Sequence, residues 1–277
     1  MLVKRFISLH MRVTLNLYET MREARLLNRS SLQAFLITQS TQKHIQLSLE
    51  AIDQIKAVRA EFIGPLIVHG AYWINLASGT DACGISFLKK EVSLAEQIGF
   101  THYVVHPGSA IGCANRQEGM DRLIARLNYV TRRYTQITFV LENTAHGNNS
   151  IGSDLEDFAY IRSRLDFPER VALCFDTAHA FAAGYALQHA AVQENVIELL
   201  DRVWGLDAVA LLHINDTHEL CGSFKDRHAR LGAGSIGLEP LKRFMNHVNL
   251  KQKPVIVETP PLSFTEQQKL LEELDNW

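Results

Sequence analysis

One pattern repeats eight times along this chain of 277 residues, and it constrains the fold more than any single motif does. A short run rich in β-branched and aromatic residues ends at a polar residue or a turn, and a segment with helical periodicity follows it. The predicted strands are residues 3–10, 32–38, 66–70, 102–107, 137–143, 172–177, 210–216 and 254–259. The predicted helices between them include residues 43–61, 116–134, 154–165 and 191–205.

Strands that alternate with helices form a parallel sheet, and eight is the number that closes a barrel. The runs LIVHG, YVVHPG and ITFVLEN are apolar at consecutive positions, which is typical of strands buried on both faces. An open doubly wound sheet would normally carry a glycine-rich phosphate loop after its first strand, and SLHMRVTLNLYE contains none. Because no Pro/Gly-rich linker divides the chain, we predict one α/β domain over residues 1–277. It is a single (β/α)8 TIM barrel with its active site at the C-terminal ends of the strands.

Charge and cysteine usage narrow the class of protein. The formal net charge of −2 argues against a protein that grips nucleic acid by lysine and arginine alone. The cysteines Cys83, Cys113, Cys174 and Cys221 form no CxxC pair, so we expect reduced thiols in a cytoplasmic protein. The N-terminal segment lacks a signal-peptide pattern, and no apolar run approaches the roughly 18 residues of a membrane helix.

Histidines and carboxylates close the later predicted strands. The C-terminal strand ends of a barrel share one mouth, where active sites are built. The residues at six consecutive strand ends are His69, His106, Glu142, Asp176, His213 and Glu258, and the segments that follow add His179, Asp226 and His228.

Any one of these nine residues alone is more often a satisfied hydrogen-bonding group than a metal ligand. Together they bring four carboxylates into one partly enclosed space without matching arginines, so cations must balance the charge. Imidazole with carboxylate favours zinc, or another first-row ion such as manganese, over calcium or magnesium. About three ligands per catalytic zinc suit three ions, or two ions with further groups around them.

Seven motifs at these residues resemble the endonuclease IV family of apurinic/apyrimidinic endonucleases. They run in family order over roughly residues 66 to 260, and seven in register are far more specific than one. The motifs are HGAYWINLAS from His69, HPGS from His106, ENTA from Glu142, DTAHAFAAGY from Asp176, HIND from His213, DRHARLGAGSIG from Asp226 and ETP from Glu258.

The resemblance implies three zinc ions per chain, with all nine positions holding the expected residue type. Its implied ligand groups are His69, His106 and Glu142 for the first ion; Glu142, Asp176, His213 and Glu258 for the second; and His179, Asp226 and His228 for the third. Glu142 would bridge the first two ions and orient the nucleophile. Tyr72 matches a tyrosine that lies against the DNA, and Lys43 aligns with an arginine that enters the base stack. A monomer is expected.

The implied reaction belongs to base excision repair of duplex DNA that contains abasic sites. Zinc-activated water would hydrolyse the phosphodiester 5′ to the lesion and leave a 3′-hydroxyl and a 5′ deoxyribose phosphate. The chain departs from the family at its first strand, where His10 remains but the usual glycines do not, and in the segments STQKH and AHGNNSIG. These departures leave the ligand set complete and alter the segments expected to contact DNA.

Two other functions are compatible with such a barrel. A sugar isomerase or epimerase would use one or two divalent ions and would not need the third set that His179 and the DRH triplet supply. A catalytically silent protein that binds damaged DNA is the other. Asp216 is expected to orient a neighbouring ligand, and Arg122, Arg126, Arg132 and Arg133 are interpreted as a solvated helix face.

Overall fold

The computed structural model describes residues 5–13, 16–38, 43–80, 84–147 and 149–277. Within these ranges eight parallel strands close a barrel whose strand order follows the chain. The strands are β1 Ile7–Met11, β2 Leu32–Ala34, β3 Leu66–His69, β4 His102–Val105, β5 Thr138–Glu142, β6 Val171–Asp176, β7 Val209–His213 and β8 Val255–Val257. Pairing of β1 with both β8 and β2 closes the ring, which confirms the predicted (β/α)8 barrel.

Each barrel strand is followed by at least one helix. The helices are α1 Leu17–Leu26, α2 Leu49–Arg59, α3 Ile85–Ile98, α4 Arg116–Arg133, α5 Asp157–Arg162, α6 Thr177–Ala182, α7 Ala190–Val203, α8 Leu238–Met245 and α9 Phe264–Asp275. Two short antiparallel pairs lie outside the barrel sheet, Ile37–Thr38 with Lys43–His44 and Asp216–Thr217 with His228–Ala229.

Local sequence sets where several helices begin. The side chain of Asn115 accepts a hydrogen bond from the backbone N–H of Glu118 and caps α4, and Asn16 caps α1 in the same way. A reciprocal capping box joins Ser263 and Glu266 at the start of α9. Such caps satisfy backbone N–H groups that have no partner within the helix.

The core has two layers. Inside the barrel lie Ile67, Val104, Val140, Ala172, Cys174, Leu211 and Ile256, all contributed by the strands. Between the barrel and the helices lies a larger layer, which includes Tyr103, Val105 and Leu141 from the outward faces of β4 and β5. Since successive strand residues point to opposite faces, this arrangement explains the consecutive apolar positions in the sequence.

The predicted helix at residues 43–61 is wrong at its start. Lys43 and His44 form a strand that pairs with Thr38 and Ile37, and the Ile45 N–H continues this pairing by donating to the Leu36 carbonyl. The helix begins only at Leu49, where Ser48 caps it. The predicted strand at residues 32–38 is likewise divided, because β2 ends at Ala34 and Ile37–Thr38 pairs elsewhere. Residues 3 and 4 of the first predicted strand lie outside the described residues.

Arg126 of α4 does not belong to a purely solvated face. Its guanidinium donates to the carbonyls of Leu76 at 2.5 Å and Ser78 at 2.7 Å, so it supports the segment that follows β3. Arg132 pairs with Asp166, and both side chains are exposed. The helix therefore combines a structural arginine with surface ones.

The described cysteines Cys113, Cys174 and Cys221 are free thiols, and Cys83 lies outside the described residues. In the part of the chain that the structure describes, none of the helices combines the length and the apolar character that crossing a bilayer requires.

Candidate metal centre

The geometry of the strands places the polar residues of the mouth directly above the apolar interior of the barrel. Ile67, Val104, Val140, Cys174, Leu211 and Ile256 point inward, and the residues two positions later are His69, His106, Glu142, Asp176, His213 and Glu258. Because side chains repeat their direction every second residue, all six point toward the axis one layer above the apolar interior. The sequence therefore concentrates its ionisable groups at one end of the barrel.

Glu142 lies at the centre of this layer and is fully buried. Its Oε2 atom lies 3.1 Å from His69 Nε2 and 3.2 Å from His106 Nε2. Its Oε1 atom lies 2.9 Å from His213 Nδ1 and 3.3 Å from His179 Nδ1. One carboxylate thus faces four imidazoles, which is the arrangement expected of a group shared between ions.

His213 lies among three carboxylates. Its Nδ1 atom lies 2.9 Å from Glu142 Oε1, 3.5 Å from Glu258 Oε2 and 3.7 Å from Asp176 Oδ2. One ligand atom from each of these four residues lies within 4.8 Å of all the others. Cys174 also approaches Glu142 and His213 from below, but burial raises the pKa of its thiol to about 12, so it is not a thiolate ligand near neutral pH.

A third group lies on the side of the mouth formed by α6 and the loop after β7. His179 Nε2 and His228 Nε2 each lie 3.3 Å from an oxygen of Asp226. Asp176 joins the same region, with its Oδ2 atom 3.9 Å from His228 Nε2. The geometric group with atoms within 4.8 Å consists of Asp176, His179 and His228, and Asp226 borders it.

Two unpaired nitrogens support divalent ions as the partners of these side chains. His106 Nε2 and His228 Nε2 are buried and have no hydrogen-bond partner among the described residues, although carboxylate oxygens lie 3.2 and 3.3 Å away. Ligand atoms that converge on a common ion show this close approach without hydrogen-bond alignment. The donor set of imidazole and carboxylate is also that of zinc and related first-row ions.

Neighbouring groups of opposite charge shift the pKa values of the buried residues in the mouth. Burial alone would raise the pKa of Glu142, but the His213 and His106 imidazoles outweigh it and hold that pKa well below its usual range. Burial lowers the pKa of His179, yet Asp176 and Asp226 raise it overall, well above the ordinary value. A raised pKa favours the protonated form of His179, and a proton on that imidazole balances carboxylate charge as a metal ion would.

Several residues that are not proposed ligands organise the mouth. Asn143 holds the end of β6, since its amide donates to the Asp176 carbonyl at 3.0 Å and accepts from the Asp176 N–H at 2.7 Å. Asn75 accepts the Ser109 N–H at 2.9 Å and so joins the segments after β3 and β4. Both asparagines therefore hold adjoining segments of the mouth together.

Asp216 organises the loop that carries Asp226 and His228. Its carboxylate accepts the backbone N–H groups of Thr217, Gly232, Gly234 and Ile236, each at 2.9 to 3.0 Å. It therefore positions His228 through the backbone of this loop, where Asp216–Thr217 pairs with His228–Ala229.

Gln33 and His10 approach the cluster from β2 and β1, and sequence reasoning did not identify Gln33. Gln33 is fully buried and bonds to both His213 and Glu258. The available signal was a glutamine inside the apolar run LQAF, at a position where a strand side chain points into the barrel.

The mouth opens into a cleft of about 480 Å³ lined by six of the nine predicted ligands. Tyr72 lies on its rim with 68% of its surface exposed, next to the Trp73 ring. Lys43 is exposed in its short strand and is not among the described residues that line this cleft.

A parallel (β/α)8 barrel with overlapping imidazole and carboxylate clusters at its mouth defines the class: a TIM-barrel protein with a candidate polynuclear metal centre. A family model described as "Xylose isomerase-like TIM barrel" matches residues 30–277. The chain is 34% identical over 261 residues to a probable endonuclease 4 of Halothermothrix orenii, covering 92% of this chain and 93% of that protein. The chain belongs to the endonuclease 4 family.

Solved structures agree with this membership. Endonuclease IV from Thermus thermophilus superposes with a TM-score of 0.85 at 27% identity, covering 98% of each chain. A D-tagatose 3-epimerase-like protein superposes with a TM-score of 0.73 at 18% identity, covering 98% of this chain and 97% of that one, and this likeness shows the shared barrel alone.

Proposed function

We propose that this chain is a zinc-dependent endonuclease of base excision repair. It would hydrolyse the phosphodiester 5′ to an abasic site in duplex DNA and leave a 3′-hydroxyl and a 5′ deoxyribose phosphate. The observation that carries the proposal is the convergence of nine histidine and carboxylate side chains at one barrel mouth. The name that the relatives carry supports a nuclease rather than another barrel enzyme.

The first two proposed ligand groups follow geometric clusters of the mouth, and in the third Asp226, which borders the cluster, takes the place of Asp176. They are His69, His106 and Glu142; Glu142, Asp176, His213 and Glu258; and His179, Asp226 and His228. When bound, divalent ions supply Lewis acidity toward the phosphate and lower the pKa of water. Three dications against four carboxylates leave a charge of about +2, which suits a phosphodiester and its transition state. This charge also reconciles a DNA substrate with the formal net charge of −2.

The residues of the chain would position both reactants. Glu142 faces four imidazoles through its two oxygens, so it would hold a nucleophilic water in a fixed direction within the cluster. Tyr72 extends from the rim of the cleft, where it can contact the sugar and phosphate chain beside the lesion. Lys43 would contact DNA farther from the cluster. We place this activity in a cytoplasmic monomer.

Selection of the lesion would rest on the cost of moving a nucleotide out of the duplex. Rotating an intact nucleotide costs a few kcal/mol for unstacking and unpairing, and an abasic sugar avoids most of that cost. A cleft whose floor is formed by the proposed ligand residues would admit a bare sugar and its phosphates before it admitted a base.

The test is cleavage of a duplex that carries one tetrahydrofuran abasic analogue, with an intact duplex beside it. We expect a single nick 5′ to the analogue and resistance of the intact duplex. Glu142→Gln should reduce nicking by more than roughly 100-fold, the upper range for residues that only support ligands. The matched control Glu156→Gln replaces an exposed glutamate that pairs with Arg202 and should cut like the wild type.

Metal content provides the second criterion. The nuclease requires close to three zinc ions per chain, whereas one or two manganese ions would favour a sugar isomerase or epimerase. Equal cutting of both duplexes would reject lesion specificity, and lesion binding without any nicking would identify a silent damage-binding protein.

A further inference from the structure

We propose that Gln33 is a positioning residue that fixes the tautomer of His213 and the orientation of Glu258, although it is not itself a ligand. The inference rests on the proposed function, because it takes His213 and Glu258 as metal ligands. It concerns the part of the mouth that β1 and β2 form.

The Gln33 side chain connects both proposed ligands. It points into the barrel from the middle of β2 and is fully buried. Its Oε1 atom lies 2.9 Å from His213 Nε2, and its Nε2 atom lies 2.6 Å from Glu258 Oε1. These partners are 180 and 225 residues away along the chain, so the contacts exist only in the closed barrel.

The donor and acceptor roles of the atoms in these contacts follow from the charge of Glu258. An ionised Glu258 carboxylate can only accept, so the Gln33 atom at 2.6 Å must be its amide nitrogen. The reverse orientation would place two acceptors against each other at that distance. The Gln33 carbonyl oxygen then faces His213, and His213 Nε2 must donate a proton to it.

This assignment leaves the Nδ1 lone pair of a neutral His213 free for a cation. Nδ1 is the atom that faces Glu142, Glu258 and Asp176 at 2.9 to 3.7 Å. A histidine that donates its other nitrogen to a fixed acceptor is held in one tautomer and one ring orientation. Gln33 therefore selects Nδ1 of His213 as the ligand atom.

Glu258 is oriented from the same part of the mouth. The atoms Gln33 Nε2, His10 Nδ1 and Glu258 Oε1 form a triangle with sides of 2.6, 2.9 and 2.9 Å. The two N–H bonds of an amide diverge too widely to lie along two sides of such a triangle. Gln33 and His10 therefore both donate to Glu258 Oε1, and this leaves Oε2 directed toward the cluster, 3.5 Å from His213 Nδ1.

The variant Gln33→Met keeps the length of the side chain and removes both contacts. His213 would then be free to adopt the tautomer with a proton on Nδ1, which blocks that atom as a ligand. Glu258 would lose one of the two donors to its Oε1 atom and would keep the Asn215 amide, 3.3 Å from its Oε2 atom. We expect zinc affinity to fall by roughly 10- to 100-fold, the range for groups that orient ligands.

Gln193→Met is the matched control. Gln193 is a buried glutamine of α7 whose amide donates to the carbonyls of Leu187 and Pro240. It lies outside the clusters, so the same substitution there should cost stability without changing zinc affinity. Retention of zinc during dialysis against graded chelator concentrations compares both variants with the wild type.

Nitrogen-15 chemical shifts of the histidine rings test the tautomer directly in the zinc-loaded wild type. We expect His213 to carry its proton on Nε2 and its metal on Nδ1, a signature that general loosening of the fold would not produce. Metal on Nε2 in the wild type would overturn the proposal even if Gln33→Met failed to fold. Wild-type zinc retention in a folded Gln33→Met would overturn it as well.

The outcomes separate this inference from the proposed function. A wild-type protein that holds zinc but never nicks abasic DNA contradicts the nuclease, while zinc retention and ring shifts still judge Gln33. A wild-type protein that holds no zinc overturns both.

Discussion

Glu91 lies on the outer side of the barrel and contacts the segment beside the mouth. This carboxyl group of α3 is fully buried, accepts the Tyr103 hydroxyl at 2.5 Å and lies 3.4 Å from the Ala71 N–H. Ala71 follows His69 by two residues, so the contact reaches the segment that carries a proposed ligand. Gly70 leaves the necessary space, because a side chain there would lie 2.7 Å from the Tyr103 hydroxyl.

Glu91→Gln should change how stability depends on pH. Burial raises the pKa of Glu91 to about 7, so the folded state holds this proton more tightly than the unfolded state does. The wild type therefore loses stability as pH rises from the ordinary glutamate value toward 7, and the amide does not. Between pH 5 and pH 8, the free energy of unfolding of the variant should rise relative to that of the wild type by on the order of 3 kcal/mol.

Urea unfolding in the presence of a chelator measures this difference. The exposed Glu239→Gln is the control and should track the wild type at every pH. A Glu91→Gln variant whose stability difference from the wild type stays constant across this range would contradict the assigned proton.

A residue of the mouth could be predicted from the sequence where the motif that marks it consists of neighbouring residues. His69, His106 and Glu142 each occupy a recognisable motif at a strand end, so the sequence predicted that they would lie at the mouth. Gln33 and Glu91 each interrupt an apolar pattern, and the partners that explain them lie on other elements. Pairing across a closed barrel is the information that the linear pattern lacks.

At the scale of elements, the loop after β7 is organised around one buried carboxylate. Asp216 binds four backbone N–H groups of this loop, and its strand pairs antiparallel with His228–Ala229. Gly234 passes so close that an added Cβ would overlap both the Asp216 carboxylate and the Thr217 carbonyl. The loop thereby holds Asp226 and His228 beside His179.

Gly234→Ala should displace this loop and weaken one ion selectively. The added methyl group cannot be accommodated against backbone, so the segment carrying Asp226 and His228 must shift. Zinc content should fall from about three to about two ions per chain, since the other two ligand groups come from the barrel strands. Elemental analysis of the dialysed protein checks this, with the exposed Ser235→Ala in the same loop as control. Three retained ions in Gly234→Ala would contradict it.

Element boundaries show where periodicity misleads. The pattern of residues 43–61 predicts one helix, yet Lys43 and His44 pair with a preceding segment and α2 begins at Leu49. Short antiparallel pairs depend on contacts between segments, which helical periodicity does not encode. The long helix α4 was predicted to within one residue because its cap and its apolar spacing are both local.

For the whole molecule, metal ions and protons compete for the same histidines. Burial lowers the pKa of His213, but Cys174, Glu258 and Glu142 raise it overall, and the pKa of His69 is raised as well. Protonated imidazoles therefore stabilise the ion-free fold at low pH, and this contribution is lost as pH rises through the raised pKa values. Zinc binds deprotonated imidazole, so its affinity rises over the same range.

The stabilisation that zinc provides should therefore grow with pH. We expect the rise in melting temperature between chelator-treated and zinc-loaded protein to be small at pH 6 and to increase by several degrees at pH 8. Thermal unfolding of both forms across this range checks the prediction. A zinc-induced shift that stays constant with pH would show that protons and ions do not share these sites.

The overall architecture was the most predictable level. Eight alternations of strand and helix predicted the closed barrel, and the histidines and carboxylates at six consecutive strand ends predicted its mouth. Sequence could not show which strand pairs would be short, because ladder length depends on the shear of the closed ring.

The last barrel strand, β8, is paired with its two neighbours over only a few residues. It pairs with β7 through two residue pairs and with β1 through three, and Glu258 follows it directly. An ion held jointly by Glu258, Glu142 and Asp176 would connect β8 to β5 and β6, which lie three and two strands away around the ring. Separation of β8 from its neighbours would then move Glu258 away and release that ion. We therefore expect the residence time of the bound metal to depend on how long this three-residue strand stays paired.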